Sequence, residues 1–495
     1  TATDGTQIYF PCPFKETEAT VALKSIEACA VAAIADVRYG GGGASQRRRI
    51  EVNLERTATF LFSTYIATIA GLGKQNAGVK AKLKNTDLLS AQSILYRRLS
   101  ANLYETKNPG EYFHIHGSLE AGKTLNMIGL EAHRPDLTEY RQCIDVIESH
   151  VKQFTAAELE EMNAREKQAG VTALKWEDFQ KTEHGKALCA LPPWELTKAE
   201  DSSPPIPFPE SLPQNGSKPQ VLAGIRVLEL CRIIAGPAMG RTLAEYGAQV
   251  IKVTSPNLSD VPFFQVDGNT GKHTCDLDLK TSAGRQAFGE LLQSADVVLD
   301  GYRPGSLDRL GYGPQKLAEL AKRPWAGRPG WQQIADCVTG VAWAQGHFMG
   351  LEEPVVPPFP MSDYGTGCMG AIAALIGLWR RATEGGSWVG RTSLSQYDIF
   401  LLGLGLYGED VKQRMRADHD EECFGLRHAD SVDELFDDKL MQTGFSKGFG
   451  EEIKWCRSPV EIEGLRVGFE RASRPNGFDK PSWEGWEVEK AIVEG

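Results

Sequence analysis

The clearest hydrophobic pattern lies beyond residue 220. "IRVLEL" is a short apolar run. A Gly-Pro break follows in "CRIIAGPAMG", then an amphipathic stretch to Tyr246 and a second apolar run, "AQVIKV". Short apolar runs bounded by breakers read as buried strands, and the longer stretch between them as a helix. The pattern predicts a strand over 226–230, a helix from about Ala238 to Tyr246 and a strand over 248–253. "CDLDLK", "GRQAFGELLQSA" and "DVVLDGY" repeat the same rhythm. Alternation of this kind predicts an α/β class with an open, Rossmann-like parallel sheet; the expected fold also includes a smaller α+β domain.

A second pattern concerns small residues. "ACAVAAIADVR" (28–38) is similar to "GAIAALIGLWR" (370–380), and "RRRIEVNLERTATFL" is similar to "WVGRTSLSQYDIFL". Each pair reads as a small-residue helix, a glycine-rich turn, a short strand and another helix. The expectation is a partial N-terminal duplicate, in which the position matching Asp363 falls near Val21 and carries no carboxylate. Lys198 to Gln220 holds six prolines and predicts an extended linker or strap. The expected organisation is a partial repeat over 1–197, a linker over 198–220, an α/β domain over 221–406 and a completing segment over 407–495.

Composition narrows the partners. Net charge is −11, which argues against nucleic acid as the main partner, because phosphate backbones need a basic face. The ten cysteines are scattered without a C-x-x-C, as expected for free thiols in a reducing, cytoplasmic or other intracellular compartment. "TATDGTQIYF" does not read as a signal peptide, and the apolar run Met369–Trp379 is too short to span a bilayer. The reading is a soluble protein with no membrane partner.

Three stretches carry candidate chemistry. "IIAGPAMG" lacks the G-x-G-x-x-G fingerprint, which weighs against a dinucleotide dehydrogenase, yet a strand running into a helix N-terminus suits an anion. "GYRPGSLDRLG" follows a predicted strand, where α/β sheets bind ligands, and offers Arg303 and Arg309 to phosphate. In "MSDYGTGCMGAIAALIGLWRR", Asp363 precedes an apolar helix expected to begin near Thr366 or Gly367. On this stretch alone it reads first as a helix cap; the same physics also allows a carboxylate kept ionised by the helix dipole and able to attack an activated carbonyl. Gly365 and Gly367 would then let a substrate approach the backbone. His114 and His116 share one face of a strand, but no third ligand sits at a telling spacing, and no metal site is expected.

Taken in order, "LAGIRVLEL-CRIIAGP", "GAQVIKV", "DLDLKTSAGR", "ADVVLDGYRPGSLDRLG", "GWQQIADCVTG" and "SDYGTG" resemble the class III CoA-transferases, the superfamily that also contains 2-methylacyl-CoA racemase. The resemblance runs from Leu222 to about Leu406. It implies coenzyme A as co-substrate, an acyl-CoA and a small carboxylic acid as partners, and Asp363 as the nucleophile that becomes an aspartyl-CoA thioester. Family positions lining the coenzyme map onto Ile233, Ile234, Ala235, Leu277, Lys280, Gly301, Tyr302 and Arg309, with Lys280 and Arg309 as phosphate contacts. Thr254 and Ser255 stand where the family often has a charged residue. Around Ala321–Gly330 a further strand and glycine-rich turn are missing, either truly deleted or skipped. The racemases carry a G-H-D triplet that this chain lacks, which favours transfer over epimerisation. A non-catalytic binder of acyl-CoA or acid is the remaining alternative. The family folds as two interlinked chains, so either a homodimer or an intramolecular pseudo-dimer completed in cis by residues 1–197 is expected.

Overall fold

The structure is a computed structural model that describes residues 10–40, 48–199, 203–210, 217–303, 305–312, 329–418 and 438–486. Most of the short stretch Ala321–Gly330 therefore lies outside the described residues. The chain is a mixed α/β protein built around a four-stranded parallel sheet. Its spatial order is Val297–Asp300, Arg226–Leu230, Gln249–Thr254, His273–Asp276. Val227 pairs with Val250 on one side and Val297 on the other. Alternate side chains serve opposite faces. Val227 and Val250 pack with Leu243 and Tyr246 from the helix Ala235–Glu245. Leu228, Ile251 and Val253 pack with Phe288 and Leu291 from Ser282–Leu292. Burial on both faces explains why these strands read as unbroken apolar runs.

One ion pair stands inside this core. Lys272 Nζ lies 2.7 Å from Glu229 Oε2 and also donates to Pro237 O at 2.7 Å, tying the first strand to its helix and to the approach of the third strand. Both side chains are fully buried, so removing either one strands a charge.

Two helices of 24 residues dominate the rest: Glu16–Tyr39 and Met361–Glu384. They share apolar clusters, with Leu23 beside Cys368 and Ile372, and Ile34 beside Leu375 and Leu378. Each ends at a glycine with positive φ, Gly40 at 71° and Gly385 at 72°, a conformation that costs glycine little. Each is followed by a short strand and then by a helix with a side-chain cap, Asn53 in one case and Ser393 in the other. The third residue of each helix is acidic, Glu18 in one and Asp363 in the other. Glu18 is exposed and accepts a hydrogen bond from Tyr407 at 2.8 Å. Among the described residues, no helix is long and apolar enough to cross a membrane.

The proline-rich segment runs along the end of the second long helix. Ile206 N–H donates to Arg381 O, and Gly386 N–H to Ser203 O. Glu195–Lys198, just before it, is a strand paired with Trp388–Arg391. A separate antiparallel sheet, Ala101–Glu105, Tyr112–His116 and Ala169–Thr172, has its own core of Tyr104, Phe113, Leu125 and Ile147. It holds the helix Gln332–Thr339 through Leu174 N–H to Cys337 O at 3.0 Å.

The second long helix crosses Ala235–Glu245 on small residues. A Cβ added at Gly367 would come 2.7 Å from Ala238 Cβ. Gly367→Ala is expected to lower stability by about 1–3 kcal/mol through overpacking. The measurement is urea unfolding, with a lower midpoint at unchanged slope as the expected result.

Candidate active site

The site begins at the end of the first parallel strand. Residues 231–234 connect Arg226–Leu230 to the helix that opens at Ala235. Ile233 sits at φ 70°, a left-handed conformation that a β-branched residue adopts only when its surroundings force it. The new helix opens beside the Asp363 helix, with Ala235 O 3.3 Å from a Cβ added at Gly367, and Ala235 N–H acts on the Asp363 carboxyl to lower its pKa.

Asp363 lies in the first turn of Met361–Glu384, not in front of it as the pattern predicted. The helix starts five residues before Thr366, because Pro360 holds the N-cap position and its carbonyl accepts from Asp363 N–H at 3.1 Å. Asp363 is 8% exposed. Burial pushes its pKa up to about 8, and the nearby charge of Asp336 pushes in the same direction; the hydrogen bond from Ala235 pulls it down without reversing the outcome. The helix terminus therefore does not keep this group ionised, because loss of water outweighs the dipole. Gly365 and Gly367 face protein. A Cβ at Gly365 would lie inside the Tyr397 ring, and one at Gly367 would press on Ala238.

Around Asp363 stands an array of carboxyl groups that sequence reasoning missed. Ser362 Oγ donates to Asp336 Oδ1 at 3.0 Å, and Gln332 Nε2 donates to Asp336 Oδ2. Thr339 Oγ1 lies 3.2 Å from Asp398 Oδ2. Tyr397 donates to Glu16 Oε2 at 2.5 Å. Burial raises Asp336, Asp398 and Glu16 alike, Glu16 to about 8. Glu16 comes from the first long helix, so the array joins both ends of the chain. The signal in the sequence was a carboxylate inside an apolar run, "IADCV" and "QYDIF".

The other residues singled out from sequence gather at the C-terminal ends of the parallel strands. Ile233 is half-buried and Ile234 is buried beside the Asp363 helix. Gly301 packs on Cys231, and a Cβ there would come 2.8 Å from its sulfur. Tyr302 lies under Arg232, whose guanidinium is 5.5 Å from the ring centre. Leu277 is buried in the core beneath these loops. Lys280 is exposed, with its N–H donating to Asp278 at 3.0 Å. Arg309 donates to Ser306 Oγ at 3.2 Å. Arg303 faces the same edge, and its pKa is lowered first by burial and then by the charge of Arg232. His114 and His116 are buried with stacked rings, and burial holds both pKa values below the usual histidine range. Among the described residues, no group of three potential ligands could hold a metal ion.

The family model CoA-transferase family III matches residues 222–422. Acetyl-coenzyme A transferase nodX of Hypoxylon pulicicidum is 31% identical, over 96% of this chain and 86% of its own length. The chain belongs to CoA-transferase family III. It is an enzyme, and coenzyme A is the co-substrate that membership implies. An acyl-CoA transferase of Gibberella moniliformis is 34% identical over 66% of this chain and 61% of its own. The formyl-CoA:oxalate CoA-transferase of Bradyrhizobium diazoefficiens is 27% identical over 34% of this chain and 44% of its own. The family III match contains Ile233, Tyr302, Asp336, Asp363 and Asp398, while Glu16 lies outside it.

Buried acids of this kind link stability to pH. Asp363 and Glu16 have folded pKa values of about 8, above their ordinary 3.8 and 4.5, so the folded state keeps protons that the unfolded chain has lost. Their contribution is full below the ordinary values and is lost as pH rises through about 8. The melting temperature is expected to fall between pH 5 and pH 8.5. Asp363→Asn and Glu16→Gln should each flatten that slope in a thermal melt series.

Proposed function

We propose that this enzyme transfers coenzyme A from an acyl-CoA donor to a carboxylic acid through a thioester on Asp363. The observation that carries the reading is a buried aspartate in the first turn of a helix that packs against the opening of the helix at Ala235, beside the strand ends. As the carboxylate, Asp363 attacks the thioester carbonyl. The C–O bond forms, the C–S bond breaks, and the thiolate leaves a mixed anhydride behind. The thiolate then attacks the Asp363 carbonyl and displaces the donor acid, leaving aspartyl-CoA. The acceptor carboxylate reverses the sequence: it attacks aspartyl-CoA, and the freed thiolate takes the new acyl group from the second anhydride. Each difficult step is thereby divided into easier ones.

Ala235 N–H supports this scheme because two of the four steps place an oxyanion on the Asp363 carboxyl carbon, within reach of that donor. Arg232 and Arg303, two cations that repel each other at the strand ends, suit the diphosphate of the coenzyme. Ile233, Ile234, Ala235, Leu277, Gly301, Tyr302, Lys280 and Arg309 form the proposed coenzyme-facing edge. Leu277 and Gly301 shape it from below rather than touch the ligand. Glu16 supports the further reading that residues 1–197 complete the site in cis.

Asp363→Ala is expected to lower acyl-CoA-dependent transfer by roughly three orders of magnitude or more. Hydroxylamine should trap wild-type Asp363 as a hydroxamate after incubation with an acyl-CoA panel, read by peptide mass spectrometry. Exchange that persists in Asp363→Ala contradicts the assignment. For completion in cis, light scattering is expected to find an active monomer. Activity confined to an interlocked dimer contradicts it.

A further inference from the structure

The carboxyl array next to Asp363 lacks the balance usual for buried acids. Among the described residues, no ion pair involves Glu16, Asp336, Asp363 or Asp398, although all four are nine-tenths or more buried. Asp336 is held differently from Asp363. Both of its oxygens accept hydrogen bonds from side chains, Ser362 on one and Gln332 on the other. Ser362 is the residue immediately before Asp363, so its hydroxyl ties the Asp336 carboxyl to the first turn of the Asp363 helix. Burial raises the Asp336 pKa to about 7, and the donors to both of its oxygens pull it down, so it ionises before Asp363 at about 8. Charge on Asp336 then disfavours charge on Asp363.

We propose that Asp336 is a positioning residue that sets the charge of Asp363, holding it as the neutral acid until a proton leaves the pair. The inference rests on the assignment of Asp363 as nucleophile. The proton balance is simple. With one proton between the two groups, the resting pair is Asp336 carboxylate and Asp363 acid. The reactive pair is two carboxylates, formed when that proton passes from Asp363 to bulk water as pH rises through about 8. The charge of Asp336 raises Asp363, and the charges of Asp336 and Asp363 raise Asp398.

The other charged groups facing the pair can be named. The helix Leu394–Gly403 presents Asp398 and Tyr397. The first long helix presents Glu16, with Glu18 and Cys12 beyond it. Further along that helix Lys24 is paired with Glu27 at 3.1 Å. The helix Ala235–Glu245 contributes the Ala235 N–H, and its Arg241 is paired with Asp267 at 3.3 Å. On the Asp336 helix, Cys337 is held neutral by burial. On the side of the antiparallel sheet, His116 contacts Gln333 at 3.3 Å and is kept neutral by burial, as is His114. Lys175 sits over the Trp343 ring at 4.8 Å. None of the cations on this list is paired with the two aspartates.

The test is rapid-quench acylation of Asp363 by acetyl-, propionyl- or succinyl-CoA, followed across pH by peptide mass spectrometry. In the wild type the rate should rise with a midpoint near 8. Asp336→Asn and Asp336→Ser should both move that midpoint down by about one pH unit or more, since a like charge has been removed. Asp336→Glu, which keeps the charge, should restore it. Near-UV circular dichroism identifies which variants are folded, and either neutral variant suffices. A wild-type midpoint in a folded neutral variant overturns the proposal. Absence of any adduct on wild-type Asp363 at every pH would instead overturn the assignment on which it rests.

Discussion

Asp363 loses its water because two helices cross beside it, and the rest of the site is organised around that loss. A carboxyl in such a place is held neutral unless donors or cations compensate. Here the compensation is small: a hydrogen bond from Ala235 N–H, against the charge of Asp336. The balance leaves the group poised close to physiological pH rather than permanently charged. A nucleophile that must ionise to react is best kept where a modest change in surroundings decides its state.

That burial depends on how closely the helices approach. Gly365, Gly367 and Gly370 lie along one stretch of the Asp363 helix, and the space they leave is filled by Tyr397, Ala238 and Met239. Close approach also fixes the turn before Ala235. Ile233 sits at φ 70° in that turn, two residues before Ala235, whose N–H lowers the Asp363 pKa. The Lys272–Glu229 pair beneath anchors the strand from which the turn departs.

Much of this was legible in the chain. The strands were readable because a parallel sheet buried on both faces leaves unbroken apolar runs, and 226–230 matches in full. The Asp363 helix was placed too late because its first turn, "MSDYG", is polar and glycine-bearing; tertiary packing, not propensity, makes it helical. The two glycines were read as openings, whereas whether a missing side chain admits ligand or protein depends on the neighbouring helix. Asp336, Asp398 and Glu16 went unnoticed because they converge from three separate segments. No spacing rule links residues 16, 336 and 398.

The central claim is that the Asp363 carboxyl becomes covalently part of the reaction. Its most direct test is oxygen transfer from the acceptor acid. In a single turnover with an acceptor labelled with oxygen-18 in its carboxylate, the second anhydride bridges acceptor oxygen to the Asp363 carbon. Cleavage at the acceptor carbonyl then leaves one heavy oxygen on the enzyme. The account predicts that the peptide containing Asp363 gains one heavy oxygen atom per turnover. Turnover with both heavy oxygens retained in product and solvent species, and none in that peptide, would contradict it.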